Sequence, residues 1–381
     1  MQKRNLISLL LLLLCWLSPA QVIFEPVGGN AVWTTKEGSV FLSRMLEDME
    51  AAQNTIEIEY YWFATDEAGQ KVRDMLIRKV QEGVKVRLII DNFTTPMAKE
   101  SFYEKMRKAG VELYFVHDFS KMGPFTAVAH YFGERDHRKI VVIDGHIGYT
   151  GGMNFYQRAL TEWMDTQLRL EGPAVEQLRA LFEESWKLMG GGPVEPLHAA
   201  PAGEAVAQVV GSRGHEYLDK LYIDALRNAK EYFYLQTPYY APPPEVVQAF
   251  KDAAARGVDV RLMVPEKSDW NFMNVVTQEY CIELYRAGLK VYVYGKAYDH
   301  TKVFISDDHY SSCSTVNMDY RSLHINWEDA VFFHDTATAL HFKELFLKEA
   351  ADAREIGPQD QPAKGLRKRQ RNTLRELSPI L

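Results

Sequence analysis

Thr55-Ile56-Glu57-Ile58-Glu59-Tyr60-Tyr61, a helical stretch, then Gly83-Val84-Lys85-Val86-Arg87-Leu88-Ile89-Ile90: this run occurs twice in the chain, and its recurrence decides the fold. The second copy reads Glu231-Tyr232-Phe233-Tyr234-Leu235, another helical stretch, then Gly257-Val258-Asp259-Val260-Arg261-Leu262-Met263-Val264. Each copy predicts strand, helix, strand. The apolar spacing from Val72 to Val80 and from Val246 to Ala255 suits helices with one buried face. The β-branched runs beside them suit strands covered on both faces. A glycine ahead of each second strand suits a helix that stops there. A third repeated strand follows, at Ala109 to Phe115 and again at Ala287 to Val293. The expectation is an α/β protein of two homologous lobes, each a mixed sheet with flanking helices.

Between the copies, Gly190 to Ala205 is rich in Gly, Pro and Ala, the composition of a linker. The expected plan is a first lobe over 21–189, a linker over 190–207, a second lobe over 208–355 and a polar tail over 356–381. The tail carries Lys364, Arg367, Lys368, Arg369 and Arg371, read as a solvated helix face or, more sharply, as a contact for anionic lipid headgroups. At the other end, Lys3 and Arg4 precede the apolar run Leu6 to Leu17 and then Ser18-Pro19-Ala20. That is the order of a secretory signal over 1–20, cleaved after Ala20. A retained anchor extending through Val22-Ile23-Phe24, or a buried N-terminal helix, are the alternatives. Either of the first two sends the body across the membrane, into the cell envelope. Leu14 before Cys15 argues against a lipid-modified cysteine, and Cys281 and Cys313 are expected to be free or buried thiols.

The bulk composition narrows the function classes. A chain of 381 residues that is 46% hydrophobic can bury a substantial core. A formal charge of -7 supplies no general basic field for nucleic acid.

The polar residues that carry chemistry also come twice, in register. His137, Lys139, Asp144, Asn154 and Asp165 map onto His300, Lys302, Asp307, Asn317 and Glu328 by one displacement. No packing rule demands that five chemically matched polar positions hold a single offset. Alternation along a strand turns His137 and Lys139 to one face, and does the same for His300 and Lys302, giving a surface against which a phosphate can rest. The small residues of Gly151-Gly152-Met153-Asn154 and Ser314-Thr315-Val316-Asn317 are expected to let backbone and amide donors approach an anion. A lysine beside each histidine would repel a metal ion, so neither metal nor cofactor is expected. The aromatic runs Tyr60-Tyr61-Trp62-Phe63 and Tyr239-Tyr240 are candidates either for core or for lining a cleft.

At these residues the sequence resembles the phospholipase D superfamily, and within it the bacterial cardiolipin synthases. The most specific parts are His137-Arg138-Lys139-Ile140-Val141-Val142-Ile143-Asp144-Gly145, Tyr149-Thr150-Gly151-Gly152-Met153-Asn154, Trp163-Met164-Asp165, Glu171-Gly172-Pro173-Ala174-Val175, Asn317-Met318-Asp319-Tyr320-Arg321-Ser322 and Asn326-Trp327-Glu328. The terminal Leu377-Ser378-Pro379-Ile380-Leu381 also looks like the end of a cardiolipin synthase. Two features depart from the family pattern: one short apolar segment stands where paired transmembrane helices are common, and Ser314 replaces a glycine, with Cys313 beside it.

The resemblance implies two lobes about a pseudo-twofold axis, with both motifs in one cleft at a membrane surface. It implies transfer of a phosphatidyl group from phosphatidylglycerol to a second phosphatidylglycerol, releasing glycerol. His137 would be the nucleophile and His300 the acid and base, each oriented by one of the carboxylates Asp165 and Glu328. Lys139, Lys302, Asn154 and Asn317 would hold phosphate oxygens. Asp144 and Asp307 complete the catalytic motifs, although their place at strand ends suggests braces. Rival readings are a phospholipase D hydrolase, a secreted nuclease, which calls for a basic groove, and a silent lipid-binding protein.

Overall fold

The computed structural model describes residues 22–91, 100–116, 133–213 and 218–360. The signal-like segment over 1–20 with Cys15, the basic cluster from Lys364 to Arg371 and the terminal Leu377-Ser378-Pro379-Ile380-Leu381 lie outside the described residues. Among the described residues, no helix is long and apolar enough to cross a membrane.

The first half contains strands β1 (Val22–Ile23), β2 (Val27–Thr35), β3 (Thr55–Tyr60), β4 (Lys85–Asp91), β5 (Glu112–Val116), β6 (Lys139–Ile143), β7 (Ile147–Gly151), β8 (Trp163–Met164) and β9 (Gln167–Glu171). The second contains β10 (Ala205–Ser212), β11 (Tyr232–Gln236), β12 (Tyr240–Ala241), β13 (Asp259–Pro265), β14 (Lys290–Tyr294), β15 (Tyr298–Asp299), β16 (Val303–Ser306), β17 (Tyr310–Ser314), β18 (Met318–Asp319), β19 (Glu328–Phe333) and β20 (Arg354–Glu355). The repeated strand-helix-strand units are there, with the Glu67–Gln81 and Pro244–Ala255 helices between β3 and β4 and between β11 and β13. Both helices stop at the expected glycines: Gly83 and Gly257 have φ of 93° and 90°, a left-handed backbone that favours glycine. Strand β10 begins at Ala205, so it takes in the last residues of the stretch read as linker.

Sheet order makes the duplication visible. From the centre outward one half runs β2-β9-β7-β6-β3-β4-β5 and the other β10-β19-β17-β16-β11-β13-β14, closed by β20. The parallel pairs β3·β4·β5 and β11·β13·β14 lie at the flanks, and antiparallel strands fill the middle. Strands β2 and β10 pair with each other, so the two sheets fuse into one.

The helices Ala174–Leu188 and Thr336–Asp352 contribute to one core with both halves. Phe182 and Trp186 join Ile140 and Leu168 from the first half and Val209, Ile305, Val331 and Phe342 from the second. Burial of that much shared apolar surface makes the halves a single unit. Glu57 and Glu59, in the alternating Ile-Glu-Ile-Glu run of β3, are also fully buried. Arg87 and Arg179 pair with Glu57 at 2.8 and 2.7 Å, which answers the cost of removing its charge from water.

Candidate active site

Each motif sits where the chain enters a strand from the lobe boundary. Strand β6 starts at Lys139 and β16 at Val303, so His137 and His300 lie just ahead of them. Both histidines are tied to the opposite half through the main chain. His137 N–H donates to Trp327 O at 2.8 Å, and His300 N–H donates to Met164 O at 2.7 Å. Two short cross-lobe contacts flank these bonds, Asp136 against Trp327 and β15 against β8.

The carboxylates cross over. His137 Nδ1 lies 2.8 Å from Glu328 Oε2, and His300 Nδ1 lies 2.6 Å from Asp165 Oδ2. Each half therefore orients the histidine of the other, a pairing that depends on how the halves pack. With Nδ1–H given to a carboxylate, Nε2 is the ring nitrogen left for chemistry.

Local sequence explains how each carboxylate reaches its ring. A Cβ at Gly152 would come within 2.1 Å of Asp165 Oδ1, so glycine there opens the space the short aspartate needs. The equivalent residue in the second half is Thr315, and its hydroxyl donates to Glu328 Oε2 at 2.6 Å. Asp165 Oδ1 accepts from Thr166 N at 2.7 Å, while Glu328 Oε1 accepts from Asn326 Nδ2 at 3.4 Å. The small residues serve these carboxylates and do not form the expected anion-binding loop. Gly152 N and Thr315 N are spent on Thr166 O and Asp329 O, and Met153 N and Val316 N on the side chains of Gln167 and Ser314.

Lys139 Nζ donates to His137 O at 2.8 Å, and Lys302 Nζ donates to His300 O while lying 2.9 Å from His300 Nδ1. All four of these side chains are buried. Asn154 and Asn317 are buried too, and each keeps an amide oxygen with no partner among the described residues. Both rings have aromatic neighbours. Tyr61 meets His137 at a centroid distance of 4.7 Å, and Trp163 and Tyr298 meet His300 at 5.3 and 5.6 Å. The aromatic runs are thus divided: Tyr60, Phe63 and Tyr240 are core, whereas Tyr61 is beside a motif histidine and Tyr239 is linked through its hydroxyl to Tyr298.

The electrostatics tie the two motifs together. Burial pulls the His137 imidazole down to about 4, with Lys139 and Lys302 adding to the effect and Glu328 opposing it. Burial lowers His300 as well, with Lys302 in the same direction and Asp165 against it. Burial alone would raise Asp165 and Glu328, but the cations win and hold both carboxylates below their usual range. For Asp165 the partners are Lys302 and His300; for Glu328 they are His137 and Lys139. Lys139 is brought down to about 8, chiefly by burial.

Asp144 and Asp307 do not belong with the catalytic residues. Asp144 accepts from the backbone N–H groups of Gln53, Asn54 and Thr55 at 2.7–2.8 Å. Asp307 does the same for Lys230, Glu231 and Tyr232 at 2.8–2.9 Å. They lie across the length of a strand from the histidines, roughly 20 Å at 3.3 Å per residue. Their role is to brace the starts of β3 and β11.

Among the described residues, the one set of His, Cys, Asp and Glu side chains converging closely enough to hold a metal is Asp219, Glu245 and His324. None of them belongs to the motifs. Cys281 and Cys313 are free and buried, as expected.

A family model described as the cardiolipin synthase, phospholipase D-like domain matches residues 45–186 and 222–349, more than half of the chain. The chain belongs to the cardiolipin synthase family of phospholipase D-like proteins. Members similar to it include the major cardiolipin synthase ClsA of Bacillus subtilis, 32% identical over 92% of this chain and 76% of that protein. Cardiolipin synthase 2 of Bacillus anthracis is 34% identical over 91% of this chain and 70% of that one. Among solved structures, a phosphatidylserine synthase from Haemophilus influenzae superposes with a TM-score of 0.67, covering 92% of this chain and 95% of that one at 13% identity. That likeness shows a shared fold. As a member of the cardiolipin synthase family the chain is an enzyme of the phosphatidyltransferase class.

Proposed function

We propose that the cleft condenses two phosphatidylglycerol molecules into cardiolipin and glycerol through a phosphatidyl-histidine intermediate. The observation that carries this reading is the pair of crossed contacts, His137 to Glu328 and His300 to Asp165. They give two oriented imidazoles whose Nε2 atoms are available, which is what a two-step displacement at phosphorus needs. The relatives are named cardiolipin synthases, and cardiolipin is two phosphatidyl groups on one glycerol, which two phosphatidylglycerol molecules supply with release of the other glycerol.

His137 Nε2 attacks phosphorus, and the bond from phosphorus to the departing glycerol oxygen breaks. His300 gives its Nε2 proton to that oxygen. The neutral His300 then takes the hydroxyl proton of a second phosphatidylglycerol, whose oxygen attacks the phosphorus and displaces His137. Three features support this division of roles. Burial holds His137 neutral down to about pH 4, the state a nucleophile needs. Glu328 Oε2 is shared between His137 and the Thr315 hydroxyl, which dilutes its charge, whereas among the described residues Asp165 Oδ2 accepts from His300 alone. An entering phosphodiester adds negative charge beside His300 and favours its imidazolium. The ammonium groups of Lys139 and Lys302, together with the Asn154 and Asn317 amides, would neutralise charge on the non-bridging oxygens.

Burial of both rings among Tyr61, Trp163 and Tyr298 supports transfer to an alcohol over hydrolysis, since water must be kept from the intermediate. The signal-like N-terminus supports action at a membrane surface in the cell envelope. Purified protein incubated with phosphatidylglycerol, without added metal, should release glycerol and form cardiolipin, resolved by lipid mass. Phosphatidic acid without cardiolipin would overturn the synthase reading in favour of a hydrolase.

A further inference from the structure

The two halves differ at a buried spot behind His137. In the second half, Gln236 on β11 donates its amide to Asp299 Oδ2 and, at 2.7 Å, to Glu349 Oε2. Asp299 Oδ1 accepts from Thr301 N at 3.1 Å. The first half repeats the frame: Asp136 Oδ1 accepts from Arg138 N at 3.2 Å. Strand register identifies the partner, because Gln236 pairs with Val303 as Glu59 pairs with Ile140. The position that holds an amide donor in one half holds the carboxyl of Glu59 in the other.

Glu59 and Asp136 are both fully buried. Glu59 Oε1 accepts from Ser185 Oγ at 2.8 Å and lies 3.6 Å from Arg138 Nη1. Glu59 Oε2 and Asp136 Oδ2 have no donor among the described residues, and the register that sets Gln236 against Asp299 sets these two carboxyl groups against each other. Two ionised carboxylates cannot share a dry site at contact distance without severe repulsion. A proton between them would stand where the Gln236 amide hydrogen stands in the second half.

We propose that Glu59 and Asp136 share one proton and act as a positioning pair for His137. Asp136 leads directly into His137, whose N–H is held by Trp327 O. Loss of the shared proton sets two carboxylates against each other beneath that residue and moves the imidazole away from Glu328. The charges facing the pair come from each neighbouring element. Arg138 and Asp329 face Glu59, Arg138 and Asp91 face Asp136, and Glu184 lies 3.8 Å from Arg138. Burial raises both carboxyls, and Arg138 opposes it in each case without reversing it.

The role in catalysis rests on His137 being a reacting group; the proton itself does not. Difference infrared spectra of the whole protein against Glu59→Gln and Asp136→Asn variants read it directly, because each variant restores an amide donor of the kind seen at Gln236. The expected result is a protonated-carboxyl C=O band in the native protein, absent from both variants. No such band in the native protein at pH 6, as with a buried water or cation between two carboxylates, overturns the proposal, as does a band that persists in both variants. For the positioning role, kcat/KM should fall on the alkaline side as the pair ionises, and that limb should move up by at least one pH unit in Glu59→Gln. A limb that stays in place while the band disappears overturns the positioning role alone. Should the protein make no cardiolipin, the infrared result still decides the proton.

Discussion

Changing Glu328 to Gln replaces one oxygen by an amide nitrogen in the second half and should disable the histidine of the first. The fully buried carboxylate accepts a hydrogen bond from His137 Nδ1–H at 2.8 Å. A charge-assisted bond of this kind contributes about 2 kcal/mol beyond what the amide retains, which is about 30-fold in rate. An amide can also present its NH2 to Nδ1 and select the wrong tautomer; the analogous change in serine-protease triads costs about 10⁴-fold. The expected fall in kcat for Glu328→Gln is therefore between about 30-fold and 10⁴-fold, with KM little changed, because Glu328 lies behind the ring. Asp165→Asn should show the same pattern through His300. The assay is initial-rate release of glycerol from phosphatidylglycerol in mixed micelles, with circular dichroism to establish folding. A Glu328→Gln enzyme within threefold of native kcat, or one impaired only in KM, would refute the crossed orientation of the rings.

Other consequences can be measured on the same protein. Asp144→Ala removes the acceptor for three backbone N–H groups at a residue with φ of 48° and should destabilise by about 2 kcal/mol in urea unfolding, with Asp144→Asn milder and the kcat of folded enzyme retained. Since the His137 pKa is depressed to about 4, the unfolded chain binds a proton below about pH 6.5 that the native one refuses. Stability should therefore fall as pH drops from 6.5 towards 4, and His137→Gln should flatten that slope. Lys139, brought down to about 8, loses its charge above that pH, so KM for an anionic lipid should rise there. Burial pushes the Cys281 thiol up to about 12 and Cys313 further, so neither should react with a thiol reagent until the protein unfolds.

Much of this architecture was readable because duplication leaves a double imprint. The repeated strands, the glycine stops at Gly83 and Gly257 and the constant displacement of His, Lys, Asp and Asn depend on local pattern, and all are where that pattern places them. The bracing by Asp144 and Asp307 was also legible, since a residue at the end of a strand is poorly placed to reach a cleft at its start. What the pattern did not show is decided across the lobe boundary. Asp165 and Glu328 stood out as orienting groups, but which ring each serves depends on packing between residues distant in sequence. Gly152 looked like part of an anion loop because glycine signals close approach without naming the approaching atom, here a carboxylate. Trp163 and Tyr298 had no polar signature to mark them as neighbours of His300. Glu57 and Glu59 lie in a strand expected to be covered on both faces, but nothing local named the arriving Arg87, Arg179 and Arg138 that make their burial tolerable.

The most direct test of the two-histidine site uses a phosphatidyl ester whose leaving group needs no proton, given to His300→Ala and His137→Ala enzymes and quenched under alkaline conditions that preserve phosphohistidine. Without His300 to activate the second alcohol, the expected result is a phosphatidyl adduct that accumulates on the peptide containing His137, with none in His137→Ala. An adduct on His300 in the His137→Ala protein would reverse the two roles, and no adduct in either protein would contradict a covalent path through this cleft.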